Sequence, residues 1–290
     1  GAVESVETDV TVIGKDGVTL DSTVTANRNV TVASGAGNAS LVGAVLAKTG
    51  DVSVKAAGSV TTNATVHAGT KVSLTSQSGS VTAVDTVTAD GGNVEVSGAT
   101  GIAMQKAVEA SESVTLTSTN GTVTTVDTVT AGSGSISMTA STGISASKAL
   151  NAGNSVTLTS TNGNVAVGES ITATAGSVSA STGKGNVTVQ GVTAGTDISL
   201  TTDQGAITAN GALQAANKVN VSATTSGAIR VNDKVTGKTI TVDTASGNIE
   251  LGNEVKADQA VYIEAKAGSV TAKGAVESVE TDVTVIGKDG

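Results

Sequence analysis

His67 is the only histidine of this chain, and it is the first residue to test for catalytic chemistry. It lies in the stretch TVHAGT, between Val66 and Ala68, where apolar and polar residues alternate and place its side chain on the outside of a strand. Nucleophilic catalysis would need a nucleophile and an orienting acid beside it, and a metal site would need further ligands. We therefore interpret His67 as a solvent-facing residue.

Two carboxylates, Asp85 and Asp127, recur in the stretch VDTVTA. Polysaccharide-cleaving solenoid enzymes use clustered carboxylates, but these two aspartates would lie about 10 Å apart and have no second acid in their own strands. A turn or surface role is therefore expected for both aspartates.

The sequence shows no other pattern typical of catalysis or metal binding. The segments GKGNV and DGGNV lack the phosphate-loop pattern, and the absence of cysteine excludes thiolate metal sites. The sequence predicts no catalytic residue, no metal site, no cofactor and no enzymatic activity.

Hydroxyl side chains recur in pairs at alternate positions, as in Thr115 with Thr117 and Thr157 with Thr159. An array of threonine on one face resembles ice-binding β-helices, although threonine is also a good outward strand residue. Acidic and amide residues interrupt the array. The candidate face comprises Thr75, Thr115, Thr117, Thr157, Thr159 and Thr201, with interruptions at Glu95, Asn220, Asp243 and Glu264. Ice binding stays open as an alternative function, as does a polysaccharide-active β-helix enzyme.

Six N-x-S/T sequons mark candidate glycosylation sites, although such triplets arise by chance in a chain rich in Asn, Ser and Thr. They begin at Asn29, Asn38, Asn63, Asn120, Asn186 and Asn220. Glycosylation at these residues is an open expectation.

The elements that position these side chains must be built without large apolar residues. Among 290 residues there is one aromatic, Tyr262, and no Phe, Trp, Pro or Cys, so the core must consist of Val, Ala, Ile and Leu. Enrichment in Val, Ile and Thr indicates strands. A net charge of −9 argues against nucleic acid as a partner, and no apolar run is long enough for membrane insertion.

A short alternating pattern, V-x-L/V, recurs along the whole chain at a nearly constant spacing. The recurrences begin at Val10, Val30, Val52, Val72, Val94, Val114, Ile136, Val156, Val178, Ile198, Val219, Ile240, Val261 and Val283. Two further patterns, G-x-V and V-x-A, follow each recurrence. Each unit of roughly 21 residues thus holds three short alternating strands, which cannot bury themselves alone but can do so when units stack. The sequence predicts an all-β, right-handed parallel β-helix with three strands per coil.

Shorter and longer steps alternate along the chain, as from Val52 to Val72 and from Val72 to Val94, so pairs of coils form a 42-residue repeat. The stretch VSLTSQSGSVTAVDTVTA from Val72, for example, returns as VTLTSTNGTVTTVDTVTA from Val114. Duplicated coils place like residues above like residues. Ladders of Thr, Ser and Asn that hydrogen-bond from coil to coil are therefore expected.

The opening stretch, GAVESVETDVTVIGKDG, occupies residues 1–17 and returns at residues 274–290. The two copies are offset by 273 residues, which is thirteen coils. The second copy therefore begins at the same position within a coil as the first. This favours one continuous solenoid over residues 1–290, as a window of a tandem array whose repeat rises about 62 Å. A recombinant origin of the overlapping ends is the alternative.

The run SVTLTSTNGNVAVGESITATAGSVSAS resembles the repeats of filamentous haemagglutinin-type exoproteins, which are large bacterial adhesins exported by two-partner secretion. The resemblance covers essentially the whole chain, through a degenerate motif of strand, glycine turn and strand. It implies a structural β-helical shaft of an extracellular or cell-surface fibre that serves adhesion, biofilm or envelope attachment. The implied partners are neighbouring copies of the repeat along the fibre axis and ligands on host or neighbouring cells. The family's amino-terminal secretion domain, with its Asn-Pro motifs, is absent from this sequence.

Overall fold

The chain folds as an all-β parallel β-solenoid with about 21 residues per turn and about 14 turns. The structure is a computed structural model, and it describes residues 1–288. Those residues contain strands and turns but no helix, so none of them forms a helix able to cross a membrane. Two compact units divide the chain, Gly1–Ser141 and Thr142–Gly290.

Each coil contributes one strand to each of three faces, in the order I, II, III along the chain. Face I carries the V-x-L/V pattern, face II the G-x-V pattern and face III the V-x-A pattern. In the first unit, face I consists of β2 Val10–Gly14, β5 Val30–Ser34, β8 Val52–Ala56, β11 Val72–Ser76, β14 Val94–Gly98, β17 Val114–Ser118 and β20 Ile136–Ala140. Face II consists of β3 Val18–Leu20, β6 Ala39–Leu41, β9 Val60–Thr62, β12 Ser80–Ala83, β15 Gly101–Met104 and β18 Thr122–Thr125. Face III consists of β1 Val3–Ser5, β4 Val24–Ala26, β7 Val45–Ala47, β10 Val66–Ala68, β13 Val87–Ala89, β16 Val108–Ala110 and β19 Val129–Ala131.

The second unit keeps the three faces, but several face I strands are longer. Face I consists of β23 Val156–Ser160, β26 Val178–Lys184, β29 Ile198–Gln204, β32 Lys218–Ser226 and β39 Val283–Gly287. Face II consists of β21 Gly143–Ala146, β24 Val165–Val167, β27 Val187–Val189, β30 Ile207–Ala209, β33 Ile229–Val231, β35 Ile249–Leu251 and β37 Val270–Ala272. Face III consists of β22 Leu150–Ala152, β25 Ile171–Ala173, β28 Val192–Ala194, β31 Leu213–Ala215 and β38 Val276–Ser278.

Faces III and I merge in two coils of the second unit. One long strand there covers both faces, as β34 Val235–Thr244 and as β36 Val255–Ala265. The corner that elsewhere separates the faces is replaced by continuous extended backbone. All three faces are nevertheless present in these two coils, because the long strand pairs with neighbours on both face III and face I. The expected three-sided coil is confirmed.

The register of neighbouring strands follows the sequence period. Val72 pairs with Val52 on one side and with Val94 on the other, and Val178 pairs with Val156 and Ile198. All of these pairs are parallel. The predicted recurrences of the V-x-L/V pattern are thus confirmed within each unit.

The core is a stack of small aliphatic side chains. Val156, Leu158, Val165 and Ile171 are fully buried, as the alternation predicted, whereas Thr157 in the same strand is exposed. Each buried Val or Leu contributes about 1.5–3 kcal/mol relative to exposure. Burial recurs in successive coils as far as Ala265, so it stabilises the stack over most of its length.

Leucine recurs at one inward position of face I over part of the chain. From Leu74 to Leu200 it is fully buried in every second coil, and the coils between contain Val96, Met138 and Ala180. Val96 and Ala180 leave room for the neighbouring leucines, whereas Met138 itself fills the interior next to Leu116. The 42-residue period is therefore present in the core, where the full set of such leucines is Leu74, Leu116, Leu158 and Leu200.

The alternating coil length arises at two corners. Nine positions separate Val72 from Val81, but eight separate Val94 from Ile102. The longer corner is closed by a serine, since the Gly79 N–H donates to Ser76 Oγ at 3.0 Å. The corner from face III to face I also varies by one residue, and together the two corners produce the alternation of shorter and longer coils.

Some corners require glycine. Gly205 has a φ of 146°, and a Cβ at this position would lie 2.0 Å from the carbonyl oxygen of Gly185. A residue with a side chain would therefore meet both backbone strain and the coil below.

Candidate functional site

The solvent-facing side chains of the solenoid form columns, because outward residues of successive coils lie directly above one another. In the first unit, one column of face I pairs Ser73 with Glu95 and Glu95 with Thr115. The neighbouring column pairs Thr75 with Ser97 and Ser97 with Thr117. A shallow depression of about 320 Å³ lies over these residues. Hydroxyl side chains therefore lie above one another in the second column, and Glu95 separates Ser73 from Thr115 in the first.

The second unit carries a less interrupted hydroxyl face. Thr157 pairs with Ser179, and Ser179 with Ser199, while Thr159 pairs with Ser181 and Ser181 with Thr201. Successive coils lie about 4.8 Å apart, and alternate residues of one strand lie about 6.6 Å apart. The columns continue past Thr201 into residues that break the array, namely Asn220, Asp243, Tyr262 and Glu264.

His67 lies on the outside of face III, as predicted. Its side chain is 43% exposed, and Nε2 lies 2.7 Å from Asp90 Oδ2 in the next coil. Its neighbours in the column are Leu46 and Thr88. The imidazole therefore contributes to a coil-to-coil contact.

Asp85 and Asp127 occupy equivalent turns before face III. Each carboxylate accepts a hydrogen bond from the next backbone N–H, that of Thr86 or Thr128, at 2.8 Å. Such contacts hold the turn. The predicted turn role is confirmed for both aspartates.

The six sequon asparagines fall into different environments. Asn38 and Asn186 accept backbone N–H groups of Ser59 and Ala206, each at 2.8 Å, while Asn29 both accepts from Asp51 N–H and donates to Asp9. The remaining three make no such coil-to-coil side-chain contact within the described residues. Of these, Asn63 and Asn120 are exposed in turns, and Asn220 is half-buried in β32.

Hydrogen-bonded ladders join the coils at the corners. The sequence predicted ladders of Thr, Ser and Asn, whereas aspartate also takes part here and the donors are backbone N–H groups. At the corner before face I, the N–H groups of Asn29, Asp51 and Lys71 donate to the side-chain oxygens of Asp9, Asn29 and Asp51 in turn, at 2.9–3.0 Å. At the corner before face II, Asn186 N–H donates to Asn164 Oδ1 at 2.8 Å. In every one of these bonds the side chain of one coil accepts from the backbone of the following coil.

Ion pairs also join successive coils, and they were not predicted from the sequence. Glu250 binds Arg230 from the preceding coil at 2.7 Å and Lys273 from the following coil at 2.5 Å. Lys148 binds Glu169 at 2.7 Å. These ion pairs could have been sought in the sequence as basic and acidic residues about one coil length apart. The corners vary in length, however, so no single spacing identifies them.

The environment shifts the pKa of two outward groups. The hydrogen bond from Lys273, together with the charges of Arg230 and Lys273, holds the pKa of Glu250 below its usual value despite partial desolvation. The pKa of Tyr262 is raised, mainly because its hydroxyl hydrogen-bonds Glu264, and further through desolvation and the charges of Glu264 and Asp243. Both shifts reflect neighbours in the outer columns.

Within residues 1–288 no three His, Cys, Asp or Glu side chains come together in a way that could hold a metal ion. Comparison with known proteins found no matching family model, no matching curated protein and no matching solved structure. The likeness to filamentous haemagglutinin-type repeats therefore rests on the sequence pattern, and the structure supports only the β-solenoid fold that this likeness implies.

Proposed function

We propose that this chain is part of the structural shaft of a bacterial extracellular or cell-surface fibre, with no catalytic activity of its own. The shaft would hold adhesive or anchoring regions away from the cell and so serve adhesion, biofilm formation or envelope attachment. The ligand would be a molecule on a host or neighbouring cell, bound by regions other than the coils described here.

The observation that carries this proposal is the way in which polar side chains are used. At the corners, Asp, Asn and Ser oxygens accept backbone N–H groups of the next coil. The ion pairs of Glu250 and Glu169 likewise join successive coils. Such contacts stabilise a stack of coils, which is the property that a shaft needs.

The experiment that tests this function is imaging and fibre diffraction of the protein from its natural source. A shaft should give a smooth filament with an axial coil spacing of about 4.8 Å and density that recurs near about 62 Å. Antibodies against residues 1–288 should label the outside of intact cells. A compact particle without an axial repeat, or labelling confined to the cell interior, would contradict the proposal.

The hydroxyl columns of the second unit favour one second candidate, an ice-binding face. Three successive coils present Thr157 and Thr159, then Ser179 and Ser181, then Ser199 and Thr201. Thermal hysteresis of the purified protein decides this alternative. A freezing point depressed below the melting point, and restored by Thr157→Glu with Thr159→Glu, would support ice binding.

A further inference from the structure

Face II of the first unit carries no charged side chain over five successive coils, those of β6, β9, β12, β15 and β18. One outward residue of each strand belongs to a single column. In that column Ser40 pairs with Thr61, Thr61 with Thr82, Thr82 with Ala103, and Ala103 with Thr124. All five side chains are small and half-buried, so they form a flat surface.

The corners on both sides of this face are uncharged as well, although the same coils carry charges elsewhere. On face I, Lys55 and Glu95 point outward, and on face III Glu109 does so. The centres of protein interfaces are depleted of charged residues. The stretches without any charged residue are 35–44, 57–65, 77–84, 99–105 and 119–126.

An apolar rim borders the face at the corner that leads to face III. Val42, Val84 and Val126 recur there in every second coil and are 41%, 36% and 49% exposed. Asn63 and Gln105 occupy the same corner of the coils between them, and both are exposed. Because successive coils lie about 4.8 Å apart, the rim presents an exposed valine about every 9.6 Å.

We propose that this face binds the same face of a second copy of the chain, with the two solenoids antiparallel and a two-fold axis at Thr82. Thr82 lies in the middle coil of the five, so the axis sets Val84 opposite Val84 and Val42 opposite Val126 of the second copy. The inference goes beyond the proposed function and does not depend on it, because single chains pair in solution.

Electrostatics favours a second copy as the occupant. The chain has a net charge of −9, so two copies repel each other unless they meet through surfaces without acidic groups. The uncharged face meets this condition, and faces I and III do not. In the antiparallel arrangement the amides also meet, since Asn63 lies opposite Gln105 of the second copy.

The charges just outside the rim fit the same arrangement. Lys106 makes no ion pair within the described part of the chain, and Asp85 in the preceding coil uses only Oδ1, which accepts the Thr86 N–H. Across the two-fold axis, Lys106 of each copy lies within one coil of Asp85 of the other. The lysine thereby offsets the repulsion between the two Asp85 carboxylates. Parallel solenoids would set the valine rim against the opposite corner, where Ser59 and Gly79 lie.

The size of the face determines how tightly two copies bind. Five coils span about 24 Å along the stack, and the six residues from Gly79 to Val84 span about 20 Å across it. Each copy therefore buries roughly 480 Å², compared with about 800 Å² per partner in a stable complex. A single pair is weak, whereas several copies of the face linked in one fibre would join neighbouring fibres side by side through multivalent contact.

Thiol cross-linking tests the pairing, since the chain has no cysteine of its own. Thr82→Cys places a thiol at the two-fold axis, and a short bis-maleimide should join two copies. The matched controls are Ser73→Cys on face I and Thr88→Cys on face III, which are equally half-buried. Thr82→Cys should give roughly tenfold more dimer than either control, because the controls react only on random collision. Equal yields from the three variants would overturn the proposal.

Charge substitutions at the same position test the two-fold axis by sedimentation velocity. Thr82→Lys and Thr82→Glu each set like charges opposite each other, so each variant alone should be monomeric at concentrations where the unmodified chain forms dimers. An equal mixture of the two variants should form dimers again, and the control Thr88→Lys should keep them. Circular dichroism verifies that each variant is folded. Dimers of either Thr82 variant alone, or an unmodified chain that stays monomeric at its highest soluble concentration, would reject the pairing.

Discussion

Buried hydroxyl groups differ in whether they have a partner. Ser76 closes a corner, because its Oγ donates to Gly58 O at 2.6 Å and accepts from Gly79 N–H at 3.0 Å. Thr62 lies at the inner end of a face II strand, between Leu41 and Ala83, and its buried Oγ1 has no partner among the described residues. Removing the Thr62 hydroxyl from water therefore destabilises the folded state without compensation. For Ser76, the two hydrogen bonds compensate for the same loss of hydration.

Replacing the unpaired hydroxyl should stabilise the protein. Thr62→Val keeps the branched shape and removes the buried polar atom, so the free energy of unfolding should rise by roughly 1 kcal/mol. Ser76→Ala is the control, and it should lower that free energy by about 1 kcal/mol. Denaturant unfolding measures both, and a destabilised Thr62→Val would show that the hydroxyl has a partner after all.

The two sides of a face I strand should respond very differently to the same charge. Val156→Asp places a carboxylate among fully buried aliphatic side chains and should cost several kcal/mol, or open the solenoid locally. Thr157→Asp lies next to it on the exposed side and should change stability by less than about 0.5 kcal/mol. Thermal melts and protease resistance compare the two variants, and equal losses would reject the inward and outward assignment.

Tyr262 reports on the charges of the outer columns, since it is the only tyrosine and its titration can be followed by ultraviolet absorbance. The hydrogen bond to Glu264 and the nearby negative charges favour the neutral phenol, so the pKa should lie above the ordinary value of about 10. Glu264→Gln should move the pKa of Tyr262 down towards that value. A pKa unaffected by this substitution would exclude Glu264 as the cause.

At the scale of elements, the sequence period specifies the position within each coil at which a strand begins. Deleting residues 72–113 joins Lys71 to Val114 and removes one 42-residue pair of coils. After this deletion β17 would pair with β8 in the register that β11 now has, with Val114 opposite Val52. The variant should therefore keep its strand content and melt cooperatively. The deletion of residues 72–103 joins Lys71 to Met104 and should unfold the neighbouring coils, which circular dichroism and limited proteolysis would detect.

The repeat was predictable from sequence because side-chain alternation and coil phase are periodic. The strand starts at Val72, Val94 and Val178 and the inward direction of Leu158 all follow from that period. Other features are not periodic. The merging of faces in β36, for example, arises where Lys256–Gln259 continue as extended backbone in place of a corner.

The outer surface was predictable only in part. Columns of hydroxyl groups follow from register, and so do the turn roles of Asp85 and Asp127. The ion pairs of Glu250 and the contact of His67 with Asp90 depend on corner geometry and on long flexible side chains, for which strand alternation gives no rule.

At the scale of the whole molecule, the polar contacts described between coils join protein atoms directly. We therefore expect the melting temperature to be the same in excess calcium and in excess chelator, because an ion that binds only the native state would raise it. Purified protein should also release no sugar from acidic polysaccharides. A chelator-dependent melt or measurable glycan cleavage would favour the solenoid-enzyme alternative over the shaft.

The corner ladders and the strand pairs share one direction, since hydrogen bonds of both kinds join a coil to the next coil. Tension applied along the stack would load these bonds coil after coil, beginning at an edge. A released coil of about 21 residues would lengthen from a rise of about 4.8 Å to an extended contour of roughly 70 Å. Such a stack would therefore dissipate mechanical work in many small steps, as a tether that yields under load and does not snap.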